Sequence, residues 1–81
     1  MRVPVHFYSY FKEMAGCDGT VLTATEGMTL AGFLKVIFQI FPKLTAMERS
    51  MLVAVGVGYR ARDYILKDGD EVSLFPPVQG G

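Results

Sequence analysis

The residues that carry most enzyme chemistry are scarce in this chain. It holds a single histidine, His6, and a single cysteine, Cys17. A metal site built on several His or Cys ligands is therefore excluded. A Cys–His nucleophile pair is conceivable, but Cys17 sits in a Gly16-Cys17-Asp18-Gly19 turn beside a carboxylate that discourages the thiolate. A small-core or turn thiol accounts for Cys17 more simply, and His6 reads as a surface or partner-facing residue. Asp68, Asp70 and Glu71 cluster as a solvated turn does, and Gly56-Val57-Gly58 lacks the rest of a dinucleotide fingerprint.

The carboxyl end is different. After Phe75 the chain runs Pro76-Pro77-Val78-Gln79-Gly80-Gly81. Two prolines favour an extended polyproline conformation, which carries the end away from the body at low entropic cost. At about 3.3 Å per extended residue, that arm reaches at most ~20 Å. Two residues without Cβ atoms can enter a channel that larger side chains would block. They deliver an unhindered carboxylate, itself a poor electrophile. Joined to AMP as a mixed anhydride, its carbonyl is open to attack, and attack by sulfur leaves a thiocarboxylate, a good nucleophile at neutral pH. The competing explanation is an inert Gly-Gly end.

The preceding elements must hold that arm. Arg2 to Tyr8 alternates, with Val3, Val5 and Phe7 on one face and Pro4, His6 and Tyr8 on the other. This predicts a half-buried strand, with Pro4 at an edge or near the strand start. Ser9 is placed to cap a short helix, Tyr10 to Ala15, that Gly16 ends. Asp18-Gly19 turns the chain into a second strand, Thr20 to Ala24, pairing antiparallel with the first. The clearest element follows Thr29, an N-cap. Leu30, Phe33, Leu34, Ile37, Phe38 and Phe41 fall on one helical stripe that Pro42 stops. Val36 and Ile40 widen the apolar arc, and Lys35 and Gln39 mark its wet side.

Pro42 to Ser50 reads as a loop with room for one helical turn, and Met51 to Val55 as an interior strand. Gly56-Val57-Gly58 predicts a tight hairpin into a short strand, Tyr59 to Arg62. Ile65-Leu66 is an apolar anchor before the Asp68-Gly69-Asp70 turn. In the last strand Val72 and Leu74 point one way, and Glu71, Ser73 and Phe75 the other. One main helix against a mixed sheet of four or five strands is an α+β layer arrangement.

Composition agrees with a single small domain. The chain has 81 residues, half of them hydrophobic and a fifth charged. A domain of this size buries roughly 60–65% of the surface its unfolded chain exposes, so an apolar surplus points to a partner surface. Formal net charge is zero, with eight basic and eight acidic residues and no basic stripe, which argues against nucleic acid. The longest apolar run, Leu30 to Phe41, is interrupted by Lys35 and Gln39 and is too short to span a bilayer. A lone cysteine and the lack of a basic-then-apolar leader fit a soluble, cytoplasmic protein.

Leu66-Lys67-Asp68-Gly69-Asp70-Glu71-Val72, followed by Phe75-Pro76-Pro77-Val78-Gln79-Gly80-Gly81, resembles the C-terminal signature of the ubiquitin-like β-grasp sulfur carriers, specifically the molybdopterin synthase small subunits. The opening Val5 to Gly16, the stripe after Thr29 and the strand Leu52 to Val55 fall in that family's order. One departure is Gly56-Val57-Gly58, where the family often has an Asn-containing turn.

The resemblance implies a β-grasp domain over residues 1–75 and a flexible Gly-Gly tail over 76–81. It implies that Gly81 is adenylated by an E1-like adenylyltransferase using ATP, with no permanently bound cofactor, and is then thiocarboxylated from a sulfur donor protein. The tail, Val78, Gln79 and Gly80 included, would insert into the large subunit of molybdopterin synthase. There Gly81 would give sulfur to cyclic pyranopterin monophosphate, building the molybdopterin dithiolene for molybdenum cofactor. Phe75, Pro76 and Pro77 become docking contacts, and the remaining catalytic groups belong to the large subunit. The expected assembly is a heterotetramer of two carriers flanking a dimer of large subunits. Delivery of sulfur to a thiamine or cysteine pathway, a ubiquitin-like modifier joined to lysines through Gly81, and a binding module with an inert tail are the alternatives.

Overall fold

A computed structural model of the chain describes residues 1–77. Five strands form one mixed sheet: β1 (Arg2–Phe7), β2 (Gly19–Thr23), β3 (Leu52–Val55), β4 (Gly58–Tyr59) and β5 (Val72–Phe75). Helices α1 (Phe11–Ala15) and α2 (Leu30–Ile40) and a 3-10 segment (Pro42–Met47) complete the described elements. The strand order is β2-β1-β5-β3-β4. This is the ubiquitin-like β-grasp arrangement expected from the sequence. All sheet pairings are antiparallel except that of β1 with β5.

That parallel pair forms the middle of the sheet, so the C-terminal ends of β1 and β5 emerge side by side. Pro4 is accommodated because β1 is entered gradually. Phe7 donates its N–H to Asp18 and Tyr8 donates to Leu74, so even-numbered residues direct their N–H toward β5. The β5 pairing begins only at Val5, opposite Val72, so Pro4's missing donor falls before that ladder starts. Proline thus marks the start of an interior strand.

The core forms where the helical stripe meets the inward face of the sheet. Leu30, Phe33, Leu34, Ile37 and Phe38 of α2 are buried with Val3, Val5, Phe7, Val53, Val55, Val72 and Leu74. Thr29 caps α2 through its side-chain oxygen, which accepts from the N–H of Gly32 at 3.1 Å. Phe41 ends the helix half-buried and meets Phe7 edge-on at 5.0 Å. Ile40, one residue earlier, is about half exposed rather than part of the buried arc.

Several local readings are corrected. Ser9 makes no capping bond; Tyr10 is the residue before α1, and Ser9 adopts a left-handed φ of 57°. Gly16 does end that helix, with φ 82° and its N–H on the Lys12 carbonyl at 2.8 Å. Only Gly56 of the hairpin glycines has a positive φ, 63°. Its two-residue loop, Gly56-Val57, joins Val55 to Gly58, so a glycine is required at the first loop position alone. The expected strand Tyr59 to Arg62 shrinks to Gly58–Tyr59. The chain then turns, with the Tyr64 N–H on the Ala61 carbonyl at 3.1 Å, and the Arg62 carbonyl accepts from the N–H of Ala31 at 2.9 Å instead of continuing the ladder.

Candidate functional site

The strand that leads to the terminus lies in the middle of the sheet. Val72 and Leu74 are fully buried against the helix side, while Ser73 and Phe75 face outward and are half-buried. Phe75 does not stand alone on that face. Its ring stacks on Tyr8 with centroids 4.5 Å apart and planes at 10°, and meets Tyr59 edge-on at 6.4 Å and 78°. Leu52 stands opposite Phe75 in the β3–β5 register. Tyr8 and Tyr59 are exposed, and Val57 at the adjoining hairpin tip is wholly exposed. A tilted aromatic patch therefore sits at the base of the arm, with Pro76 and Pro77 half-buried beyond it.

Apolar residues on both faces of β3 have separate causes. Val53 and Val55 enter the core, while Leu52 and Ala54 lie beside Phe75 and Tyr59 in the outer-face register. Because tyrosine pairs a large apolar body with a polar edge, such a surface tolerates water when free and packs well when covered.

The acidic turn before β5 has a positioning role. Asp70 Oδ2 accepts from Tyr64 Oη at 2.8 Å and from the backbone N–H of Lys67 at 2.8 Å. The Asp70 N–H returns to the Lys67 carbonyl at 3.0 Å, closing the turn through Gly69 at φ 94°. The hydrogen bond to Asp70 raises the Tyr64 pKa above the usual phenol value, helped by desolvation and the carboxylate's charge, while Arg60 opposes it. Arg60 lies 5.2 Å over the Tyr64 ring. These contacts fix where β5 begins.

On the same outer face His6 Nε2 lies 2.9 Å from Glu71 Oε1. His6 is thus surface-facing, as its place on the strand suggests. Cys17 is partly buried against the core. Among the described residues no three His, Cys, Asp or Glu side chains gather to hold a metal. No described helix is long and apolar enough to cross a membrane.

Of the residues singled out by sequence, Phe75, Pro76 and Pro77 are brought together at the sheet's end. Val78, Gln79, Gly80 and Gly81 lie outside the described residues. Sequence reasoning missed Tyr8 and Tyr59. Alternation placed Tyr8 on the outer face, but its meeting with Phe75 depends on the parallel β1–β5 pairing.

A family model, described as the ThiS family, matches residues 5–81. The chain belongs to that family. It is 34% identical to the molybdopterin synthase sulfur carrier subunit of Escherichia coli, covering 98% of this chain and 99% of the relative. A putative molybdopterin converting factor subunit 1 from Pyrococcus furiosus superposes with a TM-score of 0.87 at 28% identity, covering 96% and 99% of the two chains. A chain of the Helicobacter pylori complex of molybdopterin-converting factor subunits 1 and 2 matches at a TM-score of 0.73, 30% identity and full coverage of both. SAMP1 from Haloferax volcanii shares the architecture at a TM-score of 0.87 and 22% identity over both whole chains.

Proposed function

We propose that this ThiS-family chain is the sulfur-carrying subunit of a molybdopterin synthase and that Gly81 carries the sulfur. The observation behind this reading is the aromatic patch of Tyr8, Phe75 and Tyr59, centred on Phe75 of the central strand directly before Pro-Pro-Val-Gln-Gly-Gly. A rigid docking surface at the base of a narrow arm suits a chain whose terminus works inside another protein. The relatives' names point to the same pathway, and the Helicobacter complex pairs a similar chain with a second subunit.

In this mechanism an E1-like adenylyltransferase joins a Gly81 carboxylate oxygen to the α-phosphorus of ATP, and pyrophosphate leaves. A sulfide equivalent from a donor protein bonds to the carbonyl carbon, and AMP departs. Phe75, with Tyr8 and Tyr59, docks on the large subunit while Pro76 and Pro77 direct Val78 to Gly81 into its active site. The thiocarboxylate sulfur bonds to a side-chain carbon of cyclic pyranopterin monophosphate as an oxygen substituent leaves that carbon. Hydrolysis of the resulting thioester leaves the sulfur on the pterin and restores the Gly81 carboxylate, and a second carrier supplies the second sulfur. Two carriers on a dimer of large subunits form the working heterotetramer in the cytoplasm.

Deleting Gly81 tests the assignment. Sulfur transfer to the pterin with the cognate large subunit is expected to vanish while circular dichroism and Tm stay unchanged. Retained transfer would overturn it, and lysine-linked conjugates in cell extracts would favour a modifier.

A further inference from the structure

We propose that docking on the Tyr8–Phe75 face takes up a proton at His6, so the carrier binds its partner more tightly on the acid side of neutral. The inference rests on the reading of that face as the contact with the large subunit. His6 Nε2 and Glu71 Oε1 are 2.9 Å apart, with side chains 40% and 58% exposed. His6 stands opposite Ser73 in the parallel register, and Tyr8 and Phe75 lie two residues farther along the same strands. Two strand residues span about 7 Å. A standard interface covers about 800 Å² per partner, a disc of about 16 Å radius. A partner centred on Phe75 therefore covers the His6–Glu71 pair.

The charges facing His6 make the consequence specific. Glu71 precedes β5. Lys12 of α1 and Asp18 of the turn before β2 line, with His6 and Tyr8, a notch of about 230 Å³. Gly19 of β2 and Ser73 of β5, the register neighbours of His6, are uncharged. Lys12 and Asp18 carry opposite charges, so together they add no net charge beside the His6–Glu71 pair. In water both protonation states of the imidazole are well solvated. Under a partner, neutral His6 beside ionised Glu71 leaves one uncompensated anion. Imidazolium beside the same carboxylate gives a net-neutral, charge-assisted pair. Covering the pair therefore favours the protonated form, and by linkage protonation favours the complex.

The test is calorimetric titration of the full chain into its cognate large subunit, between pH about 6 and about 8.5, in two buffers of different ionisation enthalpy. The wild-type Kd is expected to weaken by up to about tenfold per pH unit as pH rises across that span, with up to one proton taken up on binding. His6→Gln and Glu71→Gln, both at exposed sites, are expected to fold normally and to flatten that slope. A pH-independent wild-type Kd, or an unchanged slope in His6→Gln, would overturn this inference alone. No association at any pH would overturn the docking reading and this inference with it.

Discussion

Tyr8 and Phe75 stack face to face, with ring centroids 4.5 Å apart and planes 10° from parallel. They come from opposite ends of the chain and meet because β1 and β5 run parallel at the centre of the sheet. The stack joins the end of the first strand to the start of the C-terminal arm. It also orients the outer-face aromatic patch, with Tyr59 closing the far side.

If that patch docks the large subunit, truncating its central ring should affect binding more than folding. Phe75→Ala is expected to weaken binding by about 2 kcal/mol, roughly 30-fold in Kd, as buried aromatic anchors do. Loss of the aromatic pairs should cost the fold about 1 kcal/mol. Parallel titration calorimetry and thermal melts check the two effects. Equal Kd for variant and wild type would remove the patch from the docking surface.

The hairpin makes a sharper local prediction. Gly56 has a φ of 63°, whereas Gly58 lies outside the left-handed region with open space around it. Gly56→Ala should destabilise the fold by about 1 kcal/mol or more, from the steric cost of a left-handed residue. Gly58→Ala should be close to neutral. Urea melts of the two variants compare them directly.

Tyr64 predicts an alkaline weakness. The hydrogen bond to Asp70 is the main reason its pKa lies above the ordinary phenol value. A group whose folded pKa is raised contributes stability in full below its unfolded value, about 10 for tyrosine. That contribution is lost as pH rises through the higher folded value, where tyrosinate would face the Asp70 carboxylate. Tyr64→Phe should lower Tm at neutral pH and shrink the fall in Tm above pH about 10. Thermal melts across that range, with tyrosinate absorbance followed alongside, check both parts.

The architecture was legible because the strongest patterns are local. The stripe from Leu30 to Phe38 and the alternation of Val3, Val5 and Phe7 meet in one core, as their periods require. At the helix end Phe41 still packs on the core through Phe7, while Ile40 turns toward solvent instead of widening the apolar arc. What the sequence hid depends on contacts between distant segments. Nothing near Tyr8 announces Phe75, and the role of Asp70 depends on Tyr64 folding back onto it. Ser9 reads as a cap by residue type, but the turn out of β1 places its backbone in a left-handed conformation. Tyr59 to Arg62 has strand-like residues, but the Ala61–Tyr64 turn brings the Arg62 carbonyl to the N–H of Ala31 at the start of α2.

Sulfur carried on Gly81 is read out by the mass of the C-terminal peptide. The chain is incubated with its cognate activating enzyme, ATP and a sulfur source, then digested and weighed by mass spectrometry. The expected product is a C-terminal peptide in which one oxygen is replaced by sulfur at Gly81. A peptide of unchanged mass, from a reaction in which the activating enzyme demonstrably consumes ATP on this chain, would contradict it.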